Sequence, residues 1–301
     1  MLSFILATTL FLTSSPLLSQ VVFLDRVIEA SYNTEMVFSH SLGPKLTAES
    51  AIVVDLGKGK VLFDKNSDKI LPIASITKLM TALVFLENNK RNWEERILVE
   101  PEDIIVSSGD KENIEPAGIN VQLNQSLELK DVFYASLIKS ANDAAKILSR
   151  LIDLPPEKKF VDLMNEKASF LNMNNTYFAD ATGLDSQNRS TAEDLVKLVL
   201  VAMKNDEIRE VLKIKFYDLP IYTDTGRKFY IRIWNTDKLL GNFIDFEGAK
   251  TGYLEESGYC FAGLSNYLDR QLVVIILNAV SDKDRFQEAK SLVWWGANYE
   301  E

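Results

Sequence analysis

The stretch Leu71-Pro72-Ile73-Ala74-Ser75-Ile76-Thr77-Lys78-Leu79-Met80-Thr81-Ala82 marks a change in the sequence from strand to helix. Pro72 ends an extended segment, and apolar residues then recur at helical spacing, which predicts a helix from about Ala74 to Asn88. Ser75 and Lys78 are three positions apart and share one helix face, so the lysine amine can reach the serine hydroxyl. A hydroxyl becomes a useful nucleophile when a neighbouring base removes its proton, and a neutral lysine can be that base.

The rest of the chain places strands at both ends and helices between them. Two β-rich runs around the turn Gly57-Lys58-Gly59-Lys60 predict a hairpin. A capping box at Ser190-Thr191-Ala192-Glu193 is expected to open one of the helices. The simplest packing is an α+β fold, in which an antiparallel sheet from both chain ends carries an inserted helical subdomain. The predicted strands are 51–55, 61–64, 229–233, 259–264 and 272–277, and the further predicted helices are 129–139, 142–152, 158–171, 191–203 and 284–295.

Two further motifs lie where a site between the sheet and the helices would draw its residues. Ser140-Ala141-Asn142 separates two predicted helices. A serine hydroxyl can relay a proton, and an asparagine amide can hold a substrate carbonyl. Lys250-Thr251-Gly252 precedes Tyr253 at a predicted strand edge. Lys250 and Thr251 can bind a terminal carboxylate there, while Gly252 permits close approach of the backbone.

Each motif taken alone has an ordinary explanation. Ser136-Leu137-Ile138-Lys139 has the same Ser-x-x-Lys spacing inside a helix, and Ser186-Gln187-Asn188 repeats Ser-x-Asn in a predicted turn. A helix cap at Ser140 and an exposed strand at Lys250 would explain the other two. The three motifs together change the interpretation, because they follow in order, 65 and 110 residues apart, each where the predicted structure requires it.

This motif set resembles that of penicillin-binding proteins and serine β-lactamases. The neighbouring residues resemble the low-molecular-weight D-alanyl-D-alanine carboxypeptidases of serine peptidase family S11, over about residues 50 to 295. The resemblance implies the penicillin-binding protein/β-lactamase-like transpeptidase fold. It rests on the three motifs with their flanking residues and on Ala181-Thr182-Gly183-Leu184-Asp185, Ser190-Thr191-Ala192 and Asn235-Thr236-Asp237-Lys238-Leu239-Leu240.

The resemblance also implies a role for each motif residue. Ser75 would attack the carbonyl between two D-alanines and become acylated, with Lys78 as base and Ser140 as proton relay. Peptidoglycan stem peptides ending in D-Ala-D-Ala are the implied substrates, β-lactams are implied covalent inhibitors, and neither a cofactor nor a metal is expected. The backbone N–H groups of Ser75 and Tyr253 would form the oxyanion hole. The implied substrate-binding residues are Asn142, Lys250, Thr251, Gly252 and Tyr253.

Three functions besides a carboxypeptidase remain open at this level. A D,D-endopeptidase that cuts peptidoglycan cross-links would use the same centre. A class A β-lactamase needs a Glu-x-x-Leu-Asn segment, and the best candidate, Glu166, is followed by Ser169-Phe170, which fails that pattern. A non-catalytic peptidoglycan-binding protein would need no intact nucleophile, yet all three motifs are intact.

Composition narrows the function classes. With 33 basic and 43 acidic residues the net charge is −10, which argues against a general nucleic-acid binder, since such a protein needs a basic face. The single histidine, His40, lies in a polar stretch, which disfavours a Ser-His-Asp triad and excludes a multi-histidine metal site. The single cysteine, Cys260, is expected to be a buried free thiol.

The N-terminal region differs from the rest of the chain. Residues 1–24 contain no charge and an apolar run, which favours a secretory signal peptide or an N-terminal anchor. Residues 25–47 are predicted to be a linker, and residues 48–301 the D,D-peptidase domain. The sequence therefore predicts an exported protein of the periplasm, cell envelope or extracellular space, with membrane association through its N-terminus only.

Overall fold

Strands from the two ends of the chain form one antiparallel sheet, as expected. The computed structural model describes residues 43–104 and 117–299. The strands of the main sheet are β1 (Ser50–Asp55), β2 (Lys60–Lys65), β9 (Gly248–Leu254), β10 (Gly258–Tyr267) and β11 (Arg270–Ala279). Within the described ranges their order is β2-β1-β11-β10-β9, and every neighbouring pair is antiparallel. The predicted α+β class is therefore confirmed.

The first strand joins the two ends of the chain. All six residues of β1 are buried, because the strand lies between β2 and β11 with both faces covered. Its register against β11 runs from Ser50 opposite Leu277 to Asp55 opposite Leu272. The Arg270 guanidinium closes this ladder by an ion pair with Asp55, at 2.6 Å.

Most of the helices form the subdomain inserted between β2 and β9. A 3₁₀ turn, Ala74–Ile76, leads directly into the first helix. A further helix follows β11 at the C-terminal end. The helices are α1 (Thr77–Asn88), α2 (Leu129–Ile138), α3 (Asn142–Arg150), α4 (Phe160–Phe170), α5 (Ala192–Lys204), α6 (Asp206–Leu212) and α7 (Asp282–Asn298).

The sheet separates two apolar cores. Alternate residues of each strand point to opposite faces. Ile52 and Val54 join the larger core with the helical subdomain, whereas Ala51 and Val53 join the smaller core beneath α7. In the described part of the chain, no helix is long and apolar enough to cross a membrane.

In the described residues, further strands lie outside the main sheet. These strands are β3 (Leu71–Pro72), β4 (Arg96–Leu98), β5 (Ser126–Glu128), β6 (Arg189–Ser190), β7 (Phe216–Tyr222) and β8 (Lys228–Trp234). A second sheet of order β4-β5-β7-β8 flanks the helices, and β3 pairs with β6. The sequence predicted only β8 among them, with nearly the same limits. In place of the predicted capping box at Ser190, α5 begins with Thr191 as its N-cap, whose side chain accepts from the Asp194 N–H.

Candidate active site

Ser75 lies in the 3₁₀ turn that precedes α1, half-buried at the edge of the larger core. Ala74, immediately before it, has a φ of +45°, in the left-handed region that L-residues rarely adopt. The Thr77 hydroxyl donates to the Ala74 carbonyl at 2.7 Å and holds this conformation in place. Ser75 is therefore presented by a strained turn, as is common at functional sites.

The Lys78 amine lies against the Ser75 hydroxyl. The distance between Lys78 Nζ and Ser75 Oγ is 2.9 Å. Lys78 Nζ also donates to Asn142 Oδ1 at 2.7 Å and to the Thr182 carbonyl at 2.5 Å. Burial lowers the pKa of Lys78 to about 7, although the negative charges of Asp180 and Asp143 oppose that change. A substantial fraction of Lys78 is therefore uncharged near neutral pH.

Ser140 lies between α2 and α3 and contacts a second buried lysine. Lys250 Nζ donates to Ser140 Oγ at 2.8 Å and to the Thr251 carbonyl at 3.0 Å. Ser140 itself has a left-handed φ of +60°. It does not cap α3, since the N-cap is Ala141 and no side chain accepts there. The interpretation of Ser140 as a helix cap is therefore wrong.

The pKa of Lys250 lies well below the usual lysine value. Burial is the main cause, and the neighbouring charges of Lys78 and Arg285 act in the same direction, while Asp237 opposes them. Lys78 and Lys250 are both completely buried. Two neighbouring amines disfavour simultaneous protonation. An anion that binds in the pocket would favour the protonated form of one of them.

Strand β9 passes directly behind the nucleophile. A Cβ at Gly252 would lie 2.9 Å from the Ile73 carbonyl oxygen and 3.0 Å from the Ser75 nitrogen. Only a residue without a side chain allows this approach. Thr251 is buried beside it, and the Tyr253 ring stacks on Tyr259 with the ring centroids 4.3 Å apart.

The structure thus brings the candidate residues to one place. Ser75, Lys78 and Asn142 are joined by hydrogen bonds, as are Ser140 and Lys250. Gly252 adjoins Ser75, and Thr251 and Tyr253 flank Gly252 along β9.

The other motif matches lie in different settings. Ser136 is buried inside α2, and Asn188 belongs to a turn, as expected. The Glu166 side chain is 61% exposed and pairs with Lys158 at 2.8 Å, so it is a surface residue of α4. Cys260 is a buried free thiol, as expected, and burial raises its pKa to about 11. His40 and the predicted leader, 1–24, lie outside the described residues.

Sequence reasoning missed the function of one turn. The resemblance included Ala181-Thr182-Gly183-Leu184-Asp185, but no spacing rule indicates that the Thr182 carbonyl contacts Lys78. Gly183 has a φ of +82°, and a Cβ there would lie 2.1 Å from the Ala74 carbonyl oxygen. The turn therefore packs on the backbone that presents Ser75.

Sequence reasoning also missed Arg285 in α7. Its guanidinium is buried and donates to the Gly252 carbonyl at 2.8 Å and to the Cys260 carbonyl at 3.4 Å. Arg285 is 35 residues from Lys250 in the sequence, and no motif connects the two. Its guanidinium also pairs with Asp282, at the start of the same helix. The site thus combines two buried amines with a guanidinium behind β9, and an amine that becomes protonated there can bind a carboxylate.

Among the described residues, His, Cys, Asp and Glu side chains form no group of three or more that could hold a metal ion. The chemistry that this arrangement can perform directly is acyl transfer. It has a serine hydroxyl, an amine within hydrogen-bond distance of it, a second hydroxyl and a second buried amine that can bind an anionic substrate in its protonated form.

Comparisons with known proteins agree with this geometry. A sequence model described as D-alanyl-D-alanine carboxypeptidase, peptidase S11, matches residues 37–281. A D-alanyl-D-alanine endopeptidase of Haemophilus influenzae is 37% identical over 261 residues, which cover 85% of this chain and 84% of that protein. The D-alanyl-D-alanine carboxypeptidase DacF of Bacillus subtilis is 28% identical, and the match covers 84% of this chain and 63% of DacF.

Solved structures give the same result for the fold. The Streptomyces K15 DD-transpeptidase superposes with a TM-score of 0.77 at 26% identity, covering 85% of this chain and 99% of that one. Penicillin-binding protein D2 of Listeria monocytogenes, in its ampicillin-bound form, gives a TM-score of 0.68 at 30% identity, covering 84% and 99%. The fold implied by the sequence resemblance is confirmed.

Proposed function

This chain belongs to the D-alanyl-D-alanine carboxypeptidase family of serine peptidases, and on that premise we propose that it cleaves the terminal D-Ala-D-Ala bond of peptidoglycan stem peptides through an acyl-enzyme on Ser75. The observation that carries the proposal is the 2.9 Å contact between Lys78 Nζ and Ser75 Oγ in a buried pocket. An amine in this position can replace the imidazole of other serine hydrolases.

The contacts of Lys78 orient it as a base. A neutral lysine amine has two N–H donors and one lone pair. The Asn142 and Thr182 oxygens accept two hydrogen bonds from Nζ, so the lone pair of the neutral amine is directed at the Ser75 hydroxyl. With a pKa near 7, Lys78 is matched to the pH at which it must accept a proton.

The acylation step follows from these positions. Ser75 Oγ attacks the carbonyl carbon of the penultimate D-alanine, and its proton moves to Lys78. The C–N bond then breaks as the Ser140 hydroxyl gives its proton to the leaving amine and takes the proton held by Lys78, which becomes neutral again. Water hydrolyses the resulting ester and frees Ser75 for another cycle.

The remaining residues bind substrate in this proposal. Lys250 and Thr251 hold the terminal carboxylate, with the Arg285 charge behind them. Asn142 uses its oxygen for Lys78, which leaves its amide N–H groups to hold the acyl chain. The backbone N–H groups of Ser75 and Tyr253 form the oxyanion hole, where each donor contributes about 3 kcal/mol to transition-state binding.

A D,D-endopeptidase is the second candidate, and the relatives favour it. A relative that bears that name is 37% identical to this chain, whereas DacF and the Streptomyces K15 protein, both named carboxypeptidases, are 28% and 26% identical. The two activities share the acylation step and differ in the leaving group. That group is free D-alanine in one case and the cross-linked amine of a second stem peptide in the other.

A class A β-lactamase and a non-catalytic peptidoglycan binder have less support. The exposed position of Glu166 and its pairing with Lys158 give no deacylating carboxylate of the β-lactamase type at that residue. A non-catalytic binder would have no need for a base directed at Ser75. Since peptidoglycan lies outside the cytoplasm, the proposal includes export, for which the uncharged segment 1–24 is the candidate signal or anchor.

Acylation by a labelled penicillin tests the nucleophile. We expect one covalent adduct, which intact mass and peptide mapping place on Ser75. Ser75→Ala should give none, while Ser136→Ala, at the other Ser-x-x-Lys match, should be labelled normally. A folded wild-type protein without an adduct, or a labelled Ser75→Ala variant, would contradict the proposal. Rapid release of hydrolysed penicillin would instead indicate a β-lactamase.

Purified muropeptides test the substrate. Pentapeptides that lose one D-alanine support the carboxypeptidase. Cross-linked dimers that become monomers, with pentapeptides intact, support the endopeptidase and reject the carboxypeptidase. The Ser75→Ala variant is the control for both digests.

A further inference from the structure

The Lys78 amine donates a hydrogen bond to the Thr182 carbonyl, which belongs to the turn at residues 181–185. That carbonyl belongs to the main chain, so its position is set by whatever holds the turn. The turn is also the segment whose Gly183 packs on the Ala74 carbonyl and the Ser75 nitrogen. A group that fixes this turn therefore controls both the base and the backbone of the nucleophile.

Asp180 is the centre of the hydrogen bonds in this turn. Its Oδ2 accepts from the Thr182 hydroxyl at 2.6 Å, and its Oδ1 accepts from the Gly183 N–H at 2.7 Å. The Asn188 amide donates to the same Oδ1. Asn188 is completely buried, and its own oxygen accepts from the Ala179 N–H at 2.7 Å. One carboxylate thus holds both sides of the turn.

We propose that Asp180 is a positioning residue for the reaction, which fixes the Thr182 carbonyl against Lys78 and keeps a negative charge close to that amine. The inference rests on the proposed function, because it takes Lys78 as the base. Asp180 acts through the turn and its charge, so it is not itself a catalytic residue.

The charges that face Lys78 determine the sign of the effect. Asp180 from the turn and Asp143 from α3 raise its pKa against the larger effect of burial. Lys250 on β9 is the neighbouring amine, and the charge of Lys78 lowers its pKa. Removal of the Asp180 charge leaves the effect of burial opposed by Asp143 alone, so the pKa of Lys78 falls.

The substitution Asp180→Asn removes the negative charge of the side chain and keeps its shape. The amide is nearly isosteric and retains one oxygen for the Gly183 N–H. Because acylation needs neutral Lys78, the acid limb of its pH profile follows the Lys78 pKa. We expect the midpoint of that limb to move about one pH unit lower, while the rate at the plateau changes less than tenfold. A purely structural role would lower the plateau and leave the midpoint unchanged, which would overturn the proposal.

Asp185→Asn is the matched control. Asp185 is an exposed carboxylate in the same turn and accepts from the Gln187 N–H at 2.8 Å. We expect its midpoint to stay within about 0.2 pH unit of the wild-type value, because local exposure screens the charge. An equal shift in both variants would show a general charge effect and reject a specific role for Asp180.

Thr182 offers a second test that keeps the Asp180 charge. Thr182→Val removes the hydroxyl that donates to Asp180 and accepts from the Leu184 N–H, whereas Thr182→Ser retains it. We expect the valine variant to be acylated at least tenfold more slowly, and the serine variant to stay within about threefold of wild type. Equal rates in these two variants would contradict positioning through the hydroxyl, even if Asp180→Asn does not fold.

A direct titration separates this inference from the proposed function. The ¹³Cε signal of Lys78, assigned by its loss in Lys78→Met, reports the charge without any turnover. We expect a lower midpoint in Asp180→Asn than in wild type or Asp185→Asn. A wild type that penicillin does not acylate contradicts the proposed function. An acylated wild type whose Lys78 midpoint is unchanged by Asp180→Asn contradicts only the role of Asp180.

Discussion

Lys78 illustrates how a single side chain combines a cost in stability with a gain in reactivity. The amine is completely buried and has three oxygen neighbours, and burial brings its pKa down to about 7 against the opposing charges of Asp180 and Asp143. In the unfolded chain the same amine is exposed and titrates near 10.4. The pocket therefore stabilises the neutral amine at the expense of the protonated one.

This difference predicts a pH dependence of stability. Between about pH 7 and 10.4 the unfolded state binds one proton more at Lys78 than the folded state does. The free energy of unfolding must then rise with pH in this window, by at most about 1.4 kcal/mol per pH unit. Denaturant unfolding of wild type and Lys78→Met at pH 7.5, 8.5 and 9.5 measures it, and we expect the smaller slope in the variant. Equal slopes would show that Lys78 is already charged in the folded protein at these pH values.

Substitution of Lys250 is expected to change substrate specificity and to leave the reactivity of Ser75 unchanged. Lys250→Met keeps much of the side-chain volume but removes the group proposed to bind the substrate carboxylate. We expect KM for a peptide with a free C-terminus to rise at least tenfold, with little change for an amidated peptide. Lys213→Met, at an exposed lysine paired with Glu210, is the control. Equal losses on both peptides would contradict the assigned role.

Individual residues differ in how far the sequence could identify them. Ser75, Lys78, Ser140 and Lys250 could be predicted because each lies at a fixed spacing inside a short motif. The contribution of Thr182 is made by its carbonyl, a group that every residue has, so its identity carries little information. Arg285 acts across the sheet from another helix, and only the folded chain shows that contact.

At the scale of elements, the site lies where helices and strands begin or end. Ser75 precedes α1, Ser140 separates α2 and α3, and the Thr182 turn leads to β6. Ala74 and Ser140 have left-handed backbones at these junctions. Long elements thus provide the scaffold, while short irregular segments direct the reacting groups.

A substitution at Gly183 tests whether the short turn around it positions Ser75. In Gly183→Ala the new Cβ would meet the Ala74 carbonyl, so the turn or the nucleophile must move. We expect acylation to fall at least tenfold in addition to a loss of stability. Gly226→Ala is the matched control, because Gly226 has a similar φ of +79° but nothing within 4 Å of the added Cβ. It should lose about 1–2 kcal/mol of stability and keep its acylation rate. Similar acylation rates in the two variants would contradict the close packing on Ser75.

Besides the seven-residue β7, the strands that the sequence did not predict share a physical cause. β4 and β5 have three residues each, and β3 and β6 have two, which is too short for an apolar periodicity to be visible. They form because neighbouring segments supply partners for their backbone groups. The longer helices and the strands of the main sheet carried enough repeats to be predicted within a few residues.

At the scale of the whole molecule, the main sheet lies between the smaller core and the residues proposed for the reaction. The larger core contains Ile76 and Leu79, which hold the nucleophile turn and α1. The smaller core, under α7, lies across the sheet and contains none of the residues proposed for the reaction. Arg285 is the point where α7 approaches the site, through the Gly252 carbonyl.

Two substitutions in α7 test whether the stability of the fold and the rate of acylation can be changed separately. Leu292 is completely buried in the smaller core, about two helical turns beyond Arg285. Leu292→Ala should cost about 2–5 kcal/mol, since it removes buried methyl groups and leaves a cavity. Trp294 in the same helix is 56% exposed, so Trp294→Ala should change stability by no more than about 0.5 kcal/mol.

We expect both variants to be acylated by penicillin at the wild-type rate at 25 °C, because the cavity lies on the far side of the sheet. Thermal unfolding and stopped-flow acylation measure the two quantities separately. A slower Leu292→Ala that is still fully folded would show instead that packing beneath α7 reaches Ser75 through Arg285 and β9.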